Sequence, residues 1–460
     1  MSTSTPLDIA EKTTSHPRYD AYKDSSMEWL GAIPESWQVA RLRFLLDTSP
    51  SKGEAKSKDP ETEVSFVPME SVAEGGGLDL SETKPLENVV DGYTYFRDGD
   101  VLVAKITPCF ENKKGALASD LTNGIGFGTT ELHVLRPGPH LDSRFLFYST
   151  MSHPFRKIGE STMYGAGGQK RVSDDFIQNL RWPIPSFPEQ RAIAAYLDRE
   201  TERIDALVAK KERLIELLEE KRTALISHAV TKGLDENAEM KDSGVEWIGK
   251  IPAKWDTVKL KWATSKIGSG VTPKGGSEAY VDEGITFLRS QNIHFDGLRL
   301  DDVAYIDEKT DSEMAGSRVK PHDVLLNITG ASLGRCALVP SDFPQANVNQ
   351  HVCIIRVEGD KLQPAFLSQV LASDVGQQQI FAEEDGASRE AITFAEIGDF
   401  VMPRPPREEQ ERIADYTAAQ SNRIYALIDR IHDGIDRVKE YRTALISAAV
   451  TGQIDVRGMA

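Results

Sequence analysis

This 460-residue chain is poor in cysteine, in basic charge and in long apolar runs. Its three cysteines, Cys109, Cys336 and Cys353, are too few for a disulfide framework and lack C-x-x-C spacing. They read as reduced, buried thiols of a cytoplasmic protein. No stretch approaches the roughly 18 consecutive apolar residues that a membrane-spanning helix needs. The first 15 residues are polar and lack the apolar segment of a signal peptide. Lys and Arg number 54 against 71 Asp and Glu, which leaves a net charge of −17. An acidic body repels a phosphate backbone, so any nucleic-acid role requires local positive patches or a partner that supplies them.

What the chain does have is a duplication. The segment running from Asp24 through Trp29, Gly31, Ile33 and Pro34 to Trp37 returns 218 residues later as Asp242, Trp247, Gly249, Ile251, Pro252 and Trp255. Arg222-Thr-Ala-Leu-Ile-Ser227 returns 220 residues later as Arg442 to Ser447. Between these landmarks Asp100-Val-Leu102 pairs with Asp323-Val-Leu325, and Pro183-x-Pro185 with Pro403-x-Pro405. Each copy opens with a part rich in turn residues and short β-branched runs, such as residues 100–104, 131–136 and 351–356, which read as strands. Each then ends in one long helix. The sequence thus predicts an α+β chain: an N-terminal tail (1–19), a globular domain (20–188), a helix (189–235), a second globular domain (236–407), a second helix (408–455) and a C-terminal tail (456–460).

The helices carry heptads. Leu197, Ile204, Lys211, Leu218 and Leu225 recur every seven residues, as do Thr417, Ile424, Ile431, Val438 and Leu445. Companion rows are read at Ile193, Leu207 and Leu214, and at Ile413, Leu427 and Tyr441. Such rows flanked by charge specify a coiled-coil seam, here expected to pair the two helices antiparallel as a rod of roughly 60 Å. Lys211 and Gly434 interrupt it.

Globular domain, helix, globular domain, helix is the layout of the specificity subunit of type I restriction–modification systems, which this chain resembles along nearly its full length. The motifs Gly31-x-Ile-Pro-x-x-Trp37 and Gly249-x-Ile-Pro-x-x-Trp255 resemble that family's start of each recognition domain. Pro183-Ile-Pro185 through Glu189-Gln190, and Pro403-Arg-Pro405 through Glu409-Gln410, resemble its lead into each spacer helix. Thr107-Pro-Cys-Phe-Glu-Asn112 and residues 130–137 resemble one class of recognition domain, while residues 268–273 and 330–335 resemble another. The resemblance implies two target-recognition domains, each reading half of a split DNA site, with the helices setting the gap. It also implies two methyltransferase subunits that use S-adenosylmethionine, a motor-nuclease subunit, and no membrane. Gln190, Arg203, Gln410 and Arg423 are candidate contacts to those partners.

No catalytic signature of its own is present. An Asn- or Asp-Pro-Pro-aromatic tetrad and a GxxxxGK[ST] loop are both missing, and the nine histidines show no metal-ligand spacing. No cofactor or metal is expected in this chain, and Gly124-Ile-Gly-Phe-Gly128 reads as a turn. Base reading needs donors and amides on loops that reach a groove edge. The candidates are Lys105, Thr107, Lys113, Lys114, Gln169, Lys170 and Arg171 in the first copy. In the second they are Arg289, Gln291, Asn292, Thr329, Ser332, Arg335, Ser388 and Arg389. Glycines at 165–168 and 386 suit close backbone approach. A coiled-coil adaptor whose two domains bind proteins is the alternative that the acidic charge favours.

Overall fold

The computed structural model describes residues 16–47, 50–165, 168–382 and 390–459, and mixes helix and sheet throughout. Ser388, Arg389, Gly386 and Gly167 lie outside the described residues. The chain divides into two compact units, one made of Met1–Lys210 with Asp433–Ala460 and the other of Lys211–His432. Two helices dominate, Phe187–Lys232 with 46 residues and Arg407–Val450 with 44, each about 65–70 Å long at ~1.5 Å per residue. The division falls inside both, so each unit holds the start of one long helix and the end of the other. Among the described residues no helix is long and apolar enough to cross a membrane.

In the first unit Leu132–Pro137 lies between Leu46–Asp47 and Val101–Ala104, with Gly115–Leu117 at the far edge. A second sheet sets Ile125–Gly128 parallel to Glu63–Val67 and antiparallel to Thr94–Arg97. The glycine-rich run is therefore a buried strand rather than a turn. A Cβ on Gly126 would stand 2.5 Å from the Phe96 ring and one on Gly128 2.5 Å from the Val67 carbonyl, so close packing requires the glycines. The second unit repeats the scheme. Val352–Val357 pairs antiparallel with Val324–Asn327 and Thr264–Ser269, and Ile285–Leu288 runs parallel to Ala346–Val348.

The duplicated motifs form the same joint in each unit. Trp37 is fully buried, and its indole N–H donates to Glu189 in the first turn of the first long helix at 3.0 Å. Trp255 donates likewise to Glu409 at the start of the second, at 2.9 Å. Against each indole lies the glycine that ends the other long helix: Gly452 against Trp37 and Pro34, Gly233 against Trp255 and Pro252. Both glycines hold positive φ, +75° and +77°, the left-handed conformation that terminates helices. Pro188 sits in the first turn of the first long helix, where its missing N–H leaves no bond unmade. The unit cores gather around these joints. Leu445 and Ile446 join the Trp37–Trp182 cluster, while Ile226 and Val230 join the Trp255–Phe366 cluster.

The heptad rows through Leu197, Ile204, Ile424, Ile431 and Leu445 are buried, and Leu218, Leu225 and Val438 are half-buried. The companion rows hold at Ile193 and Ile413, which are buried, but farther along each helix the inward positions lie one residue away from the expected ones. Leu207, Leu214 and Leu427 are each 44% exposed, whereas Thr201, Arg222, Ser421, Ile428 and Ile435 face inward. From the first row a step of three leads to 207 and 427 and a step of four to 201 and 428; both keep the heptad, and it is the step of four that points inward here. Cys336 and Cys353 are buried, and burial pushes both thiols up to about 12. Cys109 is only half-buried, contrary to the expectation.

Candidate nucleic-acid interface

In the first unit the site grows from the end of the strand Val101–Ala104. At the strand's base Arg136 closes on buried Asp100 with two 2.8 Å bonds. Past the strand, residues 105–107 are stitched to residues 170–172. Thr107 N donates to the Lys170 carbonyl at 2.9 Å, and Val172 N to the Lys105 carbonyl at 2.8 Å. Tyr164 and Arg171 exchange a further pair of backbone bonds at 3.1 and 2.9 Å, closing the base of the segment between them. Gln169 and Lys170 stand exposed beyond that base, with Lys105 half-buried beside it. The Arg171 guanidinium lies in the fork of Glu131, Nε to Oε2 at 2.9 Å and Nη2 to Oε1 at 2.8 Å. Arg171 in this way holds the Glu131 carboxyl below the usual carboxylate range, against a smaller opposing effect of burial.

The second unit places other residues at the same positions. Arg356 closes on Asp323 at 2.7 Å, as Arg136 does on Asp100. Thr329 bridges to Ala391 where Ile106 bridges to Arg171. An open cleft of about 410 Å³ is lined here by Gln291, Thr329, Ser332 and Arg335 together with His351. A chain of hydrogen bonds crosses its rim. Thr272 donates to Gln350 at 2.7 Å, the Gln350 amide meets His351 Nε2 at 2.8 Å, and His351 Nδ1 meets the Thr329 hydroxyl at 2.6 Å.

Other expected site residues are engaged elsewhere. Lys113 reaches Thr443 on the second long helix at 3.0 Å, and burial lowers its pKa. Lys114 donates to the Met69 carbonyl, and Thr107 to Glu111. Asn292 is 2% exposed, and its amide accepts from Arg289 N and donates to the Arg299 carbonyl. It therefore shapes a turn and has no free edge. Arg289 and Gln291 both donate to Asp302, with Gln291 remaining exposed. Gln190 and Gln410 are buried rather than at a partner surface. Each amide oxygen accepts from the N-cap residue of an earlier helix, Asp142 N or Gln363 N, and each amide nitrogen donates to the Pro185 or Pro405 carbonyl. Arg203 and Arg423 are exposed.

Sequence reasoning missed Glu131, Tyr164, Gln350 and His351. In sequence Glu131 and His351 read only as strand residues, although each stands five residues before the arginine that closes its sheet. No sequence signal marked Tyr164, an isolated aromatic that is 62% exposed.

Known proteins share this organisation. Residues 34–217 match the type I restriction modification DNA specificity domain. The specificity subunit of the Escherichia coli type I restriction enzyme EcoAI is 42% identical over 163 residues, covering 35% of this chain. The chain spans 27% of that relative's length. The MjaVIII specificity subunit of Methanocaldococcus jannaschii is 22% identical over 439 residues, covering 93% of this chain and 95% of that one. A structure solved in work on complex assembly and conformational transition of the type I R-M system has the same fold. Its TM-score is 0.66 at 20% identity, over 91% of this chain and 98% of that one. This chain thus carries a type I restriction modification DNA specificity domain over residues 34–217 and is similar over most of its length to a type I specificity subunit.

Proposed function

We propose that this chain is the DNA sequence-reading subunit of a cytoplasmic type I restriction–modification complex, with recognition domains at 20–188 and 236–407. One observation carries the reading. The same strand-end scaffold occurs in each unit, fixed by Arg136–Asp100 in one and Arg356–Asp323 in the other, yet it presents different polar residues. A conserved frame with variable donors suits two half-sites of different sequence. Chemistry falls to partners: two methyltransferase subunits, which bind S-adenosylmethionine, and a motor-nuclease subunit. Arg203 and Arg423 are proposed contacts to them.

The long helices pair antiparallel in this reading and set the gap between half-sites. Two contacts support it. Asp205 meets Arg442 at 3.1 Å, and the Arg222 guanidinium lies 5.0 Å from the Tyr425 ring centre. Within each unit the first half of one long helix thus meets the second half of the other. Methylation mapping of cells carrying the intact operon tests the function. A split, methylated motif that vanishes when this chain is deleted is expected. Unchanged methylation after deletion refutes the reading.

A further inference from the structure

We propose that Arg171, held by Glu131, reads a guanine in the half-site of the first unit, with Glu131 as its positioning residue. The inference rests on the DNA-reading role proposed above and adds which base is read and by which atoms.

A guanidinium carries five N–H donors in a rigid plane. Glu131 takes two of them, Nε–H and one on Nη2, through a bidentate fork at 2.9 and 2.8 Å. Left over are both hydrogens of Nη1 and the outer hydrogen of Nη2. The last of these and one Nη1 hydrogen form a parallel pair directed away from the carboxylate. The plane is fixed at its back as well. The Arg171 main chain is bonded to Tyr164 on both its N–H and its carbonyl, and the next residue, Val172, is tied to Lys105. The side chain is 37% exposed. The donor pair is therefore oriented before any DNA arrives, which removes most of the rotamer entropy that a free arginine loses on binding.

Base chemistry then selects the partner. In the major groove only guanine offers two adjacent acceptors, O6 and N7. Adenine sets a donor beside its N7, thymine a methyl beside O4, and cytosine a donor. A phosphate would also accept two bonds, but Glu131 neutralises the guanidinium and would bring a carboxylate close to the DNA backbone. A neutral, acceptor-only base edge avoids that repulsion. The second unit lacks this reader. The positions equivalent to Glu131 and Arg171 are His351 and Ala391, so its half-site is read by other means.

The experiment uses the assembled methyltransferase complex with wild-type chain, Arg171→Lys, Arg171→Ala or Glu131→Gln. Probes are duplexes carrying the mapped site with each base pair substituted in turn. For wild type, one G·C pair in one half-site should show a discrimination of about 5- to 150-fold, the worth of a bidentate arginine–guanine contact. Arg171→Ala and Arg171→Lys should abolish the discrimination at that pair alone. Glu131→Gln should reduce it at the same pair, since the fork loses its charge but the arginine remains. Discrimination in the other half-site should be unchanged in all variants, which shows that they fold and assemble. Loss of binding that is equal across all duplexes, or relaxation at a pair that is not G·C, overturns the inference. So does an unaltered profile. A wild-type complex without any sequence preference would instead overturn the DNA-reading role itself.

Discussion

The two glycines that end the long helices offer an internally controlled test of the joints. Gly233 and Gly452 occupy the same place, with nearly the same φ. Replacing either by alanine puts a Cβ in the left-handed region at roughly 1–2 kcal/mol. The stiffer unfolded chain returns about 0.4–1 kcal/mol of that. The surroundings then separate the two sites. At Gly233 the nearest atoms to a Cβ are Glu409 Oε1 and the Trp255 ring, both at 3.2 Å, a squeeze that shifts of a few tenths of an ångström relieve. At Gly452 the Cβ would lie 2.4 Å from Pro34 Cδ and 2.7 Å from Cγ, in a ring that cannot rotate away. Overpacking of that kind costs about 1–3 kcal/mol more. Gly233→Ala should therefore lose about 1 kcal/mol, taking the strain and the entropy together, and Gly452→Ala about 2–4 kcal/mol once the overpacking is added. Urea unfolding of the purified chain measures the totals. Hydrogen exchange of peptides covering residues 30–40 and 248–258 locates them. Equal losses, or a larger loss for Gly233→Ala, would refute the argument.

Gln190→Ala and Gln410→Ala should each lower stability by about 1 kcal/mol by leaving a half-buried helix N-cap amide without its partner, while affinity for the methyltransferase per folded molecule stays unchanged in a pull-down. Removing residues 208–214 together with 433–439 keeps the helix contacts in phase and shortens the pair by about 10 Å, close to three base pairs at ~3.4 Å each. Methylation maps should then show both half-sites intact with a shorter gap, and a changed half-site would count against the scheme. Because the Glu131 carboxyl is lowered by Arg171, the stability their pair gives is complete above the unfolded value of 4.5 and disappears as pH falls through the lower folded value. Acid unfolding should accordingly begin at higher pH in Glu131→Gln than in wild type, and identical profiles would show the pair to be thermodynamically silent.

The duplication was legible because its landmarks are the residues that build the joints: Trp37 and Trp255, Glu189 and Glu409, Pro34 and Pro252. One row of each heptad was equally plain. The second was not, because its inward positions mix Ile428 and Ile435 with the polar Thr201, Arg222 and Ser421, while leucines 207, 214 and 427 face outward. Hydrophobicity marks the seam only where the seam is apolar. Gln190 and Gln410 misled for a related reason, since recurrence in both copies is as natural for a buried cap as for a partner contact. The sites were half legible. Lysines 113 and 114 carried the expected charge but spend it on Thr443 and Met69. Glu131 and His351 matter through what lies across the sheet from them, and linear order does not reveal that.

On the DNA-reading role proposed above, the paired joints bear on how such a chain acquires new specificities. Each one clasps the start of one helix and the end of the other by an indole–carboxylate bond and a left-handed glycine, and none of the residues proposed to read DNA takes part in it. A recognition domain exchanged between Trp37 and Trp182, or between Trp255 and Met402, would meet the same socket in either slot. Recombination at those positions can therefore shuffle what is read without renegotiating how the chain is held. A crossover inside a long helix would instead part contacting pairs such as Asp205 and Arg442.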